Sequence, residues 1–285
     1  MSGAGRTGDG RGRLGNVLSG LVVAVGCVLF LGGFAWAALV YRPYTVPTGS
    51  MSPTVETGAK VLAQRITGDE VRRGDVVVFT DKAWSNSPMV KRVVGIGGDT
   101  VVCCDAKGRL TVNDEPVEEP YLRTPAGAGG AVGSLGGSSD STSSGTPSAS
   151  SGSTSSGDSN GSGQLASTEF SAEVPEGELF LLGDDRGISL DSRVHLTDEG
   201  QGSVPRAAVE ARVDAVAWPS GHMLDRPEGF AGLPGGISSQ GPLPLQLGAV
   251  VAGVVLILAG CAYGPVAAWT RRGKTAKAKA VAGVR

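Results

Sequence analysis

Apolar positions in this chain fall into two long uncharged runs and a set of short ones. Residues 14–41 carry no charge, and residues 245–264 repeat that pattern near the other end. A helix needs about 20 apolar residues to cross a hydrocarbon core. The spacing therefore predicts transmembrane helices over 17–41 and 243–264. Neither run has a polar stripe, which points to lipid rather than a protein core as the neighbour. The first run is also longer than the apolar region of a cleaved leader.

Between the runs the apolar stretches shorten to strand length. Residues 60–66 partly alternate, and 74–79 (GDVVVF) read as a buried β-branched strand. Residues 90–96, 100–104 and 109–112 follow, separated by Gly, Asp and Asn turns. The pattern then stops: from 126 to 164 the chain is almost entirely Gly, Ser, Thr and Ala. Strand character resumes at 178–184 and 207–218. Neither flank is long enough to own a core, and closure cost rises slowly with loop length.

The expected fold is mostly β. A single antiparallel β-sheet domain (42–124 and 166–220) is interrupted by a disordered Gly/Ser-rich insertion (125–165) and flanked by two transmembrane helices. A tether (221–242) and two tails (1–16 and 265–285) complete it.

Composition supports a small folded mass, since 46 of 285 residues are Gly and only 5% are aromatic. A net charge of -2 offers no basic face for nucleic acid. Arg6, Arg11 and Arg13 precede the first run, while Arg271, Arg272, Lys274, Lys277 and Lys279 follow the second. Positive flanks stay in the cytoplasm, so both termini are expected inside and residues 42–240 on the outer face. Cys27 and Cys261 lie in apolar runs. Cys103 and Cys104 are adjacent, as a vicinal disulfide or as free thiols, and fit no CxxC pattern.

Three segments carry candidate chemistry. Residues 47–54 (PTGSMSPT) form a Pro/Gly-framed turn around Ser50, a few positions beyond the first apolar run. Residues 89–99 (MVKRVVGIGGD) place Lys91 inside an apolar strand, on the face shared with Val93, and Arg92 on the face shared with Val94. A desolvated lysine loses its proton more easily and becomes a competent base. The alternative is a surface strand with two solvated cations. Residues 183–193 (GDDRGISLDSR) crowd acids, arginines and serines into one loop. Taken alone, that loop could be a set of surface salt bridges of little value.

The order of these segments, with GDVVVF between the first two, resembles the conserved boxes of type I signal peptidases. The resemblance implies a membrane-bound serine endopeptidase that removes signal peptides after small residues (A-x-A), with no cofactor. It implies Ser50 as nucleophile and Lys91 as general base. Thr48 and the Ser50 N–H would be the oxyanion donors, Met51 would pack beside the nucleophile, and Ser189 would position the lysine. Asp191 and Arg193 would form a supporting ion pair, and Asp184 and Arg186 would hold the loop. Implied partners are preproteins bearing signal peptides, the lipid bilayer of a bacterial cell and the nearby secretion translocase. One departure is Asp185, where the family usually has Asn. Two rivals are a Ser–His–Asp triad using His195, four residues past Asp191, and a membrane-tethered β module without catalysis.

Overall fold

The computed structural model describes residues 10–122 and 169–282, with side chains over 17–122 and 169–263. The expected insertion (125–165) lies outside the described residues, as do the side chains of the basic flanks. In chain order the elements are α1 (Gly10–Val40), β1 (Tyr41–Thr45), β2 (Lys60–Arg65), β3 (Val76–Phe79), β4 (Met89–Ile96) and β5 (Thr100–Cys103). They continue with β6 (Thr111–Val112), β7 (Glu115–Pro116), β8 (Phe170–Glu173), β9 (Glu178–Leu182), β10 (Val204–Pro205), β11 (Val209–Trp218), β12 (His222–Met223) and α2 (Leu243–Ala282). The chain divides into two compact units, one holding the two helices and the other most of the strands.

In the helical unit, Val17–Val40 and Leu243–Tyr263 are long and apolar enough to cross a membrane. Leu21, Val28, Leu39 and Leu258 face outward, consistent with a membrane anchor. The helices run antiparallel and meet through small residues. The Ser19 hydroxyl donates to the Gly260 carbonyl at 2.7 Å. A Cβ at Gly253 would stand 2.6 Å from the Phe30 nitrogen, and one at Gly26 would stand 2.9 Å from the Gly253 carbonyl oxygen. Small side chains let helix backbones approach closely where no hydrophobic effect drives them together.

In the strand unit, β11, β3, β4, β9 and β10 lie side by side, all antiparallel, with β12 also on β11. Alternation sorts their residues onto two faces. Val77, Phe79, Val93, Leu179 and Leu181 join one apolar cluster. Val94, Phe180 and Leu182 join the other, together with Val101, Phe170 and Ala172 of a second sheet. That sheet runs β7-β6-β5-β8. β4 is thus covered on both faces, and Lys91 and Arg92 are the two charged residues it buries. The pairing slips between Val93 and Gly95, and a Cβ at Gly95 would come 2.6 Å from Val101 Cγ2. Glycine at that bulge is what lets the sheets close together.

Three sequence expectations change. The β domain contains two sheets rather than one. The strand expected over 109–112 shortens to Thr111–Val112. Residues 221–238 do not form a tether: β12 pairs with β11, and Leu224, Phe230 and Leu233 are buried in the strand unit. Sparse apolar residues among Pro and Gly disguise that packing in the sequence. Cys103 and Cys104 are bonded to each other.

Candidate active site

Residues 47–54 form a knot of short-range hydrogen bonds. The Val46 N–H donates to the Ala59 carbonyl at 2.9 Å, the Ser52 N–H to Gly49 at 3.0 Å and the Val55 N–H to Met51 at 2.9 Å. Met51 is fully buried and anchors the turn from beneath. This arrangement leaves Ser50 at a fixed place, 7% exposed.

β4 delivers Lys91 to the same place. Its Nζ donates to Ser50 Oγ at 2.8 Å. Thr48 Oγ1 lies 3.3 Å from the same hydroxyl. Lys91 is 4% exposed. Burial pulls its ammonium down to about 8, opposed by Asp191 and Asp184 and aided by Arg193. The solvated-cation alternative therefore fails for Lys91.

The loop 183–193 closes the site from the other side. The Asp185 N–H donates to the Ser50 carbonyl at 3.0 Å, tying the loop to the serine backbone. Asp191 accepts from Arg193 Nε and Nη2 at 2.9 Å each and from the Gly183 N–H at 3.0 Å. Burial works against its ionisation. The Arg193 hydrogen bonds and charge outweigh that and hold the carboxyl below the ordinary range. Ser189 is fully buried and, in this geometry, its Oγ makes no hydrogen bond. A Cβ on Gly183 would overlap both Ser189 Oγ and the Ser50 carbonyl oxygen. Gly183 is thus the point where the two catalytic-candidate segments touch, and only the missing side chain allows it.

Asp185, where the resemblance implies Asn, bonds through groups that both residues carry. Besides its N–H, it uses its carbonyl to accept from the Ser189 N–H at 3.1 Å and Oδ1 to accept from the Gly187 N–H at 3.3 Å. Asn carries the same three groups.

Arg92 turns the opposite way from Lys91. Its Nε and Nη2 donate to the two Asp184 carboxylate oxygens at 2.8 and 2.7 Å, and Nη1 donates to the Gly74 carbonyl at 2.8 Å. Its guanidinium carbon lies 3.8 Å from the centre of the Tyr121 ring. The Tyr121 hydroxyl donates to Glu119 at 2.6 Å, and Glu119 pairs with Arg186 at 2.5 Å. Sequence reasoning names Asp184 and Arg186 but misses Glu119, the partner of Arg186, and Tyr121, the ring under Arg92. Nothing local in EEPYL marks them, because their contacts are distant in sequence, 67 residues apart for Arg186 and Glu119.

His195 is placed elsewhere. Its Nδ1 is 2.8 Å from Asp198 Oδ2 and its ring stacks on Trp84 at 4.7 Å. The hydrogen-bonding partners of Ser50 Oγ are Lys91 and Thr48 instead.

Beside the Ser50–Lys91 contact lies a cavity of about 180 Å³, lined by residues 46–48 and 88–90 together with Ser50, Lys91 and Leu190. Drug-sized pockets run about 300–1,000 Å³, so this one suits small side chains.

A family model described as "Signal peptidase, peptidase S26" matches residues 16–218. Signal peptidase I U of Bacillus subtilis (strain 168) is 30% identical over 193 residues, covering 67% of this chain and 82% of its own. Probable signal peptidase I of Mycobacterium leprae is 26% identical over 247 residues, covering 70% of this chain and 74% of its own. A solved signal peptidase I from Enterococcus faecalis V583 is 26% identical, with 50% of this chain and 95% of that one covered, at a TM-score of 0.30.

Proposed function

This chain belongs to the signal peptidase family, peptidase S26, a family of serine endopeptidases that remove signal peptides, and from that premise we propose that it cuts secreted preproteins with a Ser50–Lys91 dyad. The observation that carries the reading is the 2.8 Å contact between Lys91 Nζ and Ser50 Oγ, made in a buried setting that brings the lysine to about 8.

The geometry supports the following steps. Neutral Lys91 accepts the Ser50 proton as Oγ attacks the carbonyl carbon before the cut. The tetrahedral oxyanion is stabilised by the Ser50 N–H and the Thr48 hydroxyl. Lys91 ammonium then protonates the departing amine, leaving an acyl ester on Ser50. A water activated by Lys91 hydrolyses that ester and regenerates both groups. Arg193 fixes Asp191, whose charge favours the Lys91 ammonium, Ser189 packs on Gly183 behind Ser50, and Asp184 and Arg186 stiffen the loop.

The small apolar cavity supports cleavage after small residues, the A-x-A pattern of secretory leaders. Its two long walls, 46–48 and 88–90, suit a substrate strand lying extended between them. Two apolar helices with basic flanks support a two-pass protein of a bacterial membrane, with both termini inside and the β domain outside. Ser50 follows Tyr41 by nine residues, so a fully extended linker keeps it within about 30 Å of the span's end. That is where a signal peptide's cut site emerges, close to the secretion translocase.

The test is preprotein cleavage in detergent. Ser50→Ala and Lys91→Ala should each lose at least about 10²–10⁴-fold in rate while melting like the parent. Near-normal turnover by either folded variant would refute the dyad.

A further inference from the structure

The cavity beside Ser50 has three sources of wall. Two are the segments that a substrate strand would run between, 46–50 and 88–91. The third is a single residue, Leu190, the one contribution from the loop 183–193. Leu190 is 67% exposed, although Ser189 and Asp191 on either side of it are fully buried.

That contrast has a local cause. The inward Asp191 carboxylate is fixed by Arg193 and by the Gly183 N–H. Ser189 lies tight against Gly183, which has no room for a side chain. With both neighbours turned inward, the Leu190 side chain is turned outward at the cavity mouth. Ile188, 52% exposed, flanks it, and its Cδ1 sits 3.4 Å from where a Cβ on Gly49 would lie. A leucine held rigidly in water gains from burial only when something apolar covers it, and the chain placed to do so is a substrate in this cavity.

We propose that Leu190 is a specificity-determining residue that closes the cavity on the loop side and limits the size of the side chain accepted before the cut. The proposal rests on the small-residue cleavage reading above. Replacing Leu190 widens or narrows one wall without touching Ser50, Lys91 or the buried groups that hold them.

The experiment measures kcat/KM for a set of preproteins differing only in the residue before the cut: Gly, Ala, Ser or Val. Leu190→Ala should raise the Val-to-Ala ratio by about tenfold, the usual worth of a methylene or two in an apolar pocket. Leu190→Phe should lower the Ala-to-Gly ratio. Both variants should keep the parent's acid limb in the pH profile. Ratios unchanged in both variants overturn the assignment. A uniform loss with a shifted acid limb also overturns it, because Leu190 would then act through Ser189 and Lys91. A parent enzyme that cuts Val as readily as Ala overturns the small-residue reading itself, a result distinguishable from the other two.

Discussion

Lys91 and Arg92 are consecutive cations in one strand, both almost fully buried, with opposite electrostatic outcomes. Arg92 meets a carboxylate with two parallel hydrogen bonds, a backbone carbonyl and an aromatic face. Burial opposes its charge, but Asp184 overcomes this and raises its pKa above the ordinary arginine value. Lys91 meets a hydroxyl at hydrogen-bond distance, with Asp191 and Asp184 acting only through space, and burial wins. Depth alone does not neutralise a cation; what decides is whether a counterion is supplied at contact distance. The strand thus makes a permanent brace from Arg92 and, in the proposed mechanism, a proton acceptor from Lys91.

The comparison can be broken most severely by erasing the difference. Lys91→Arg places a group that cannot lose its proton where a base is required. Cleavage should fall by at least about 10²–10⁴-fold at every accessible pH, measured with a preprotein in detergent. A variant with a normal rate at high pH would show that residue 91 does not accept the proton.

Next in size is the brace. Arg92→Met strands the buried Asp184 carboxylate, and breaking such a pair costs about 3–5 kcal/mol. Thermal melting of the full chain should drop accordingly. The double variant Arg92→Met/Asp184→Asn should recover much of the loss, since no buried charge is then left alone.

The smallest effect sharpens the lysine half. The proposed mechanism requires neutral Lys91, so kcat/KM should rise with pH through about 8 and level off above it. Asp191 favours the ammonium. Asp191→Asn should therefore move that limb to lower pH, as read from the profile of whatever activity remains. A limb that stays in place would separate Asp191 from the titration.

Much of this arrangement is legible in the sequence, for particular reasons. The helices declare themselves through length without charge. The strands show through β-branched runs with Gly/Asp turns, and Lys91 shows because a cation inside MVKRVVGI cannot be indifferent to its surroundings. What stays hidden depends on tertiary distance. Glu119 and Tyr121 look like ordinary turn residues until Arg92 and Arg186 meet them. Gly183 reads as a strand-end glycine, and only the meeting of Ser50 and Ser189 reveals why no side chain fits. Phe230 and Leu233 sit among prolines and glycines that suggest a linker, yet both are core.

The smaller sheet has one more consequence. Its outer strands are β7 and β8, and the chain between them accounts for residues 117–169, which include the long Gly/Ser run. β4, which bears Lys91, belongs to the other sheet. Lengthening a connection costs only about 0.6 kcal/mol per doubling. A tag grafted into the chain between β7 and β8 should therefore lower the melting temperature little, which thermal melting of the full chain would read.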